Sequence, residues 1–367
     1  MDADAPTPCA ALARQLLAAT PPSERLLLDL PACRVRIRGN DPGVMNALRA
    51  YYHEHARPSA TGDADLEFLA LAGPTPALPW PLVLRDRAGR PHNEGFAELA
   101  DGRVVHKRRT GVVMIMSAAA ELICGPLHDH VDQVINFVHH RVMTRWIAAG
   151  GRLAHAAGIA FGDRGLALCG LAGAGKSTLA LELMTRDPAL AFVTNDRAVL
   201  VAGDDGPRMR GIPKHPRVNP GTVLHNAALT PLLSADARAR YLALDSDALR
   251  VCEDKRDAVI DRLFGPGRVR LEAAVTAVAV LCWRPDADAP MTVEAVDFAA
   301  RPDLQRALHK RLRLGFWPLA TPTDEDAMAA LVERLAGVPI YALRGRVDVA
   351  AAAAWAGELL HARDEHD

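Results

Sequence analysis

The chain has almost no net charge: 43 Lys and Arg are set against 44 Asp and Glu, leaving a formal −1. So balanced a chain has no global pull toward nucleic acid or an anionic lipid surface. It also lacks long apolar runs. Those over 275–283 and 349–356 reach only about half the length of a membrane span. No basic start precedes an apolar block, as an export signal requires; the chain opens Met-Asp-Ala-Asp, and its first cation is Arg14. Its six cysteines (Cys9, Cys33, Cys124, Cys169, Cys252 and Cys282) contain no CxxC pair. That scatter supports neither a disulfide scaffold nor a cysteine-built zinc site, and it fits reduced thiols in a cytoplasmic protein. There is no internal repeat at a fixed period. With 50% hydrophobic and 24% charged residues, the disordered and collagen-like classes drop out. The length, 367 residues, suggests two domains.

Apolar spacing predicts a helix over 10–19, a strand over 34–38, and a helix over 42–52 with Asp41 as N-cap and Pro42 in the first helical position. Strands are expected over 65–71 and 82–86, around a loop over 74–81 that holds four prolines. Two extended runs within 103–116 flank Lys107-Arg108-Arg109, read as a solvated hairpin tip and too short for nucleic-acid binding. A helical pattern over 131–149 stops at Gly150-Gly151, where the domain boundary is expected: a smaller α/β domain over 1–150 and a second over 151–367. Apolar runs over 153–161 and 165–170, joined by Gly162-Asp163-Arg164, read as a strand pair feeding a glycine-rich loop. A helix follows over 179–184, then two extended runs within 191–201 around Asn195-Asp196, then a Pro-rich loop over 213–221. Strands over 275–283, 291–297 and 339–343 alternate with helices over 303–314, 324–335 and 347–360, the last including the alanine-rich stretch 350–354.

Gly170-Leu171-Ala172-Gly173-Ala174-Gly175-Lys176-Ser177 fits the P-loop (Walker A) pattern G-x-x-x-x-G-K-[ST] in full. At average residue frequencies a chain of this length matches by chance roughly once in a hundred. A strand before the loop and a helix after it lower that further. Glycines let successive N–H groups face an anion, the following helix adds the positive end of its dipole, and residues 170–177 with Thr178 are the expected ATP-binding set. Lys176 would set a cation against the β- and γ-phosphates of ATP, and the Ser177 hydroxyl can coordinate Mg2+. Asp196, at the end of an extended run, can hold magnesium or accept a proton from an attacking hydroxyl. The base-reading N-K-x-D of GTPases and the L-S-G-G of transport ATPases are both absent.

The stretch 155–196 resembles the HPr serine kinase/phosphorylase family, and most closely the HprK-related kinase B group. The resemblance rests on His155, fifteen residues before Gly170, on the complete loop motif, and on Asp196 at the second of two acidic positions. It extends to Gly211-Ile212-Pro213-Lys214-His215-Pro216-Arg217-Val218-Asn219-Pro220-Gly221 and to Asp261-Arg262-Leu263-Phe264-Gly265-Pro266-Gly267, covering roughly 130–285. It implies a mixed-sheet core of the PEP-carboxykinase-like kind and an ATP- and magnesium-dependent kinase. The acceptor would be a hydroxyl: a serine of a protein or peptide, or a small molecule. Asp196 would serve as base and His155 would lie beside it. Ser177 and Asp196 would hold the metal; the family assembles into oligomers, which admits a homo-oligomer here, although the sequence does not give the state. Two positions depart from the pattern. Asn195 replaces the first acid, and Arg208 stands where the family has a magnesium-binding Glu. Either Asp196 serves the metal alone or another acid, such as Asp204 or Asp205, supplies a ligand. The same departures motivate an alternative: a nucleotide-binding regulatory or assembly protein with weak or no phosphotransfer.

Further signals are weaker. Lys214, Arg217, Lys255, Arg256, Arg262 and Arg268 are candidate phosphate or acceptor contacts. His128, His130, His139 and His140 gather around Asp129 and Asp132, but their spacing fits no standard metal pattern.

Overall fold

A computed structural model of the chain describes residues 8–57, 62–85, 93–317 and 322–362. It divides into two compact units, one of 1–148 with 312–321, the other of 149–311 with 322–367. The return of 312–321 to the first unit has no counterpart in the sequence reading.

The first unit runs α1 (Pro8–Ala19), β1 (Glu24–Leu30), β2 (Cys33–Gly39), α2 (Pro42–Tyr51), β3 (Leu66–Ala72), β4 (Val83–Leu84), β5 (Glu94–Leu99), β6 (Gly102–Lys107), β7 (Val112–Ser117), β8 (Glu121–Gly125) and α3 (Val131–Ala148). Its eight strands form one mixed sheet in the order β1-β2-β3-β8-β7-β6-β5-β4, with β3 parallel to β2 and β8 and the other neighbours antiparallel. Asp41 caps α2 by accepting from the Val44 N–H, with Pro42 at the helix start. Alternation along β3 sends Leu69 and Leu71 to one face, where Cys9, Leu12 and Ala13 of α1 cover them. Phe68 meets Phe137 of α3 edge-to-face at 5.7 Å. Strands β1, β5 and β8 lie outside the expected set. Part of the strand expected over 82–86 is present as β4, and its Asp86 lies outside the described residues.

The second unit opens with β9 (Arg152–Ala154), β10 (Ala156–Phe161), β11 (Arg164–Gly170), α4 (Lys176–Arg186), β12 (Leu190–Thr194), β13 (Ala198–Gly203) and β14 (Gly206–Arg210). Short elements follow: β15 (Arg217–Val218), α5 (Pro220–Leu224), α6 (Ala235–Leu242), α7 (Ser246–Val251), β16 (Arg256–Asp257) and α8 (Ile260–Phe264). It closes with β17 (Glu272–Leu281), β18 (Thr292–Ala295), α9 (Pro302–Gln305), α10 (Asp324–Arg334), β19 (Ile340–Arg344) and α11 (Val349–His361). The nine-stranded sheet is mixed: β12-β10-β11-β17-β14-β13-β9, with β19 beside β17 and β18 beside β19. Only the β11–β17 and β17–β19 pairings are parallel.

Both faces of this sheet are covered, which is why its central strands read as unbroken apolar runs. Leu166 and Leu168 of β11 pack with Leu179 and Leu183 of α4 and with Ala352, Ala353 and Ala356 of α11. Ala167 and Cys169, the alternate residues, pack with Leu331 of α10 and with Leu335 at its C-cap. The helix expected over 303–314 does not form. Leu304, Ala307 and Leu308 instead bury against the sheet, and His309 forms a β-bridge with Ala154, so only the four-residue α9 remains. Tertiary packing here overrides a helical spacing.

Candidate active site

Strand register gathers the sequence-predicted residues at one end of the sheet. Strand β10 is antiparallel to both β11 and β12, so its start meets the ends of both. Ala156 is opposite Cys169, and Gly158 is opposite Thr194. His155 therefore stands beside the 170–177 loop and the Asn195-Asp196 turn. Strand β17 ends at the same edge, with Leu281 paired to Gly170. This is where open α/β sheets place their ligands, beyond the carboxyl ends of the strands.

The loop owes its shape to glycine. Gly173 and Gly175 have φ of +82° and +92°, a region that side chains disfavour. Gly175 is also the N-cap of α4, and no side chain caps that helix. The first N–H groups of α4 thus have no side-chain partner at the cap and lie at the positive end of the helix dipole. Leu171, Ala172 and Gly173 are exposed. Trp283, two residues past the end of β17, donates from Nε1 to the Ala174 carbonyl at 2.8 Å and braces the loop from behind. Thr178 shares a hydroxyl–hydroxyl hydrogen bond of 2.9 Å with Thr222 of α5.

Lys176 is buried, and its ammonium donates to the carbonyls of Gly170 (2.8 Å) and Leu171 (3.2 Å). Burial pulls it below the ordinary lysine value; the charge of Asp196 opposes that, and Lys310 adds to it. The neighbouring Cys169 thiol is pushed up to about 12 by burial and is inert as a nucleophile.

Between β12 and β13 the chain makes a tight turn, closed by the Thr194 hydroxyl donating to the Arg197 carbonyl at 2.5 Å. Asp196 occupies it at φ +66°, an uncommon state for a residue with a side chain. The preceding Asn195 accepts from the Ser177 hydroxyl through Oδ1 at 2.6 Å, tying this turn to the loop. Asp196 itself is held by two groups: His155 Nε2 lies 2.9 Å from Oδ1, and Lys310 Nζ lies 2.8 Å from Oδ2. Burial alone would raise the Asp196 carboxyl. Hydrogen bonds from His155 and Lys310, and their charge, outweigh it and hold the group well below the usual carboxylate range.

Other candidates go elsewhere. Arg208 bridges Asp163 (2.7 Å) and Glu272 (2.8 Å), and Arg210 also binds Glu272, so these arginines stitch β14 to its neighbour β17 and to the β10–β11 turn. Asp204 and Asp205 form the exposed turn at the far end of β13, about 20 Å from Asp196 at ~3.3 Å per residue, and cannot supply its missing partner. Arg268 is a structural cap: it donates to the carbonyls of Met184, Asp187 and Leu190 around the end of α4. Arg217, Lys255 and Arg256 pair with Asp257, Glu253 and Asp254, and Arg262 is exposed. His139 is buried against the Tyr52 hydroxyl, His140 meets the Phe316 ring at a tilt, and His128 pairs with Asp41. Among the described residues no group of three or more His, Cys, Asp and Glu could hold a metal ion.

Lys310 and Trp283 were not legible as site residues. Lys310 sits inside a stretch whose spacing reads as helix, and nothing in the sequence links it to Asp196.

The residues present suit a triphosphate: an uncapped helix start, a buried lysine in a glycine loop, and a second lysine across Asp196. They suit magnesium only with the phosphates as co-ligands. Ser177 Oγ, Asn195 Oδ1 and the Asp196 carboxylate are the oxygens at hand, and Mg2+ ordinarily takes one or two protein ligands, phosphates and water.

No protein-family model matches the chain, and no curated protein matches it. Among solved structures, the Hpr(Ser) kinase/phosphatase from Coxiella burnetii aligns with 57% of this chain and 87% of its own at 12% identity, with a TM-score of 0.28. A match at that level adds nothing to the fold or the site. Among the described residues no helix is long and apolar enough to cross a membrane.

Proposed function

We propose that the second unit is a kinase core of the HPr kinase and PEP-carboxykinase-like kind, transferring the γ-phosphate of ATP to a hydroxyl. The observation that carries this reading is the 2.6 Å hydrogen bond from Ser177 to Asn195, because it brings the glycine loop and Asp196 to one place. On this reading the α4 N–H groups and Lys176 bind the phosphate tail, which displaces the Lys176 ammonium from the Gly170 and Leu171 carbonyls. Magnesium, when bound, would neutralise charge on the phosphate oxygens. Asp196 stays ionised at neutral pH and would orient the acceptor hydroxyl and take its proton as the bond to phosphorus forms. His155 fixes the carboxylate from one side. The acceptor would be a serine of a protein or peptide, or a small-molecule alcohol.

A regulatory, non-transferring reading draws on two features: both Asp196 oxygens are already engaged, and its basicity is low. Incubation with γ-labelled ATP and candidate acceptors separates the two. Label moving to an acceptor supports the kinase. ATP binding with no labelled product favours the regulatory reading. In either case Lys176→Ala should abolish the ATP-induced rise in melting temperature. An unchanged rise in that variant would mean that the loop is not the phosphate site.

A further inference from the structure

We propose that Lys310 is the residue that distinguishes a nucleoside triphosphate from a diphosphate in this site. The inference rests on the nucleotide reading above and adds to it a cation supplied from far along the chain.

Lys310 is fixed in place although it belongs to no helix or strand. The His155 N–H donates to the Leu308 carbonyl at 2.7 Å, and His309 bridges to Ala154. His309 and Arg311 both bind Asp324, at the start of α10; the His309 Nε2 contact is 3.0 Å. Flanked by these anchors, Lys310 sends its ammonium to Asp196 with only 16% of its side chain exposed. An ordered lysine gives up rotamer freedom that a surface lysine keeps. Here that ordering places a cation on the face of Asp196 away from His155.

Lys310 bonds Asp196 directly at 2.8 Å, and the Asp196 charge is also felt at the Lys176 ammonium. The turn that carries this one carboxylate is tied to the start of α4 through Ser177 and Asn195, so two lysines and an uncapped helix start share its neighbourhood and the site is short of negative charge. Lys176 reaches back into the loop and faces the phosphates that the loop encloses. Lys310 stands on the Asp196 side, where the outermost phosphate would meet the acceptor. Asn195 makes this cation matter more. A second carboxylate there would draw in metal charge, and a neutral amide does not. Lys310 supplies positive charge at that place without a metal. A diphosphate ends short of Lys310 and leaves it on Asp196; a triphosphate recruits it.

The test is calorimetric binding of a non-hydrolysable ATP analogue and of ADP to the full-length chain, with magnesium and with a chelator. The wild type should prefer the analogue by about tenfold to a hundredfold, the range of one charge-assisted hydrogen bond, and should keep much of that preference under chelation. Lys310→Gln retains a donor toward Asp196 but no charge. It should bring the ratio to within about threefold of unity with ADP affinity nearly unchanged. Lys310→Arg should restore most of the preference. Far-UV circular dichroism and melting of each variant establish that it is folded. Should Lys310→Gln bind ADP normally and still prefer the analogue as the wild type does, Lys310 does not read the terminal phosphate. Failure of the wild type to bind either nucleotide would overturn the underlying reading and this one with it. Wild-type binding with an undiminished ratio in the variant overturns this one alone.

Discussion

Each unit contains a carboxylate held by a long cationic side chain, and the two pairs behave in opposite ways. In the first unit Arg141 is buried and grips both oxygens of Glu121, with its Nε donating at 2.7 Å. Its remaining donors go to the Thr144 hydroxyl and to the carbonyls of Gly315 and Trp317. Burial dominates there: the Glu121 carboxyl is raised above its ordinary value despite the guanidinium beside it. In the second unit the Asp196 side chain is 46% exposed, its carboxyl is lowered, and its backbone lies in the left-handed region. A buried, fully committed pair holds a fold together. On the function proposed above, a half-exposed, strained one beside an uncapped helix is the one that would meet a ligand.

The comparison can be broken by exchanging the expected outcomes. Asp196→Asn should slow label transfer by roughly 10²–10⁴, the usual share of a general base, while the melting temperature barely moves; a large loss of stability with transfer intact would make Asp196 the structural member. Arg141→Ala should destabilise the fold by about 3–5 kcal/mol in denaturant titration, because it leaves the Glu121 charge buried and unpaired. Below its lowered melting point that variant should keep the nucleotide-induced shift. Trp283→Phe removes the bond to Ala174 and should cost about 1 kcal/mol, with weakened nucleotide binding by calorimetry. Arg208→Ala breaks contacts to Asp163 and Glu272 that remain partly exposed, so a melt should show about 0–1 kcal/mol and transfer should stay at the wild-type rate.

The smallest effect concerns pH. A carboxyl lowered in the folded state stabilises above its unfolded value, near pH 4, and that contribution fades as pH falls through the folded value. With Asp196 about half exposed, solvent screening leaves only a few tenths of a kcal/mol. Asp196→Asn should therefore flatten slightly the acid side of the stability–pH curve; a steeper acid side would contradict the direction given for this group.

What could be read in the sequence follows from how local its cause is. The capped helix after Asp41 and the strand-loop-helix through Gly170–Lys176 are written in neighbouring residues, and both form as expected. The proximity of His155 to Asp196 came only through the family resemblance, and strand register brings it about. Lys310 was illegible because 114 residues separate it from Asp196, and because its segment carries a helical spacing that the sheet and Asp324 override. Strands β1 and β5 carry Asp29 and Glu98 inside their apolar pattern, and β8 is only five residues long, which leaves little periodicity to read. Arg208 showed only that a metal ligand was missing; its engagement by Asp163 and Glu272 explains what stands there instead.

The return of 312–321 to the first unit bears on how the protein can be taken apart. Arg141 donates to the carbonyls of Gly315 and Trp317, so a fragment ending at residue 148 would lack acceptors that its own interior needs. A gene cut at that point separates the first unit from a segment that belongs to it. A peptide spanning the return segment, added to the shorter fragment, is the natural complement for restoring its fold.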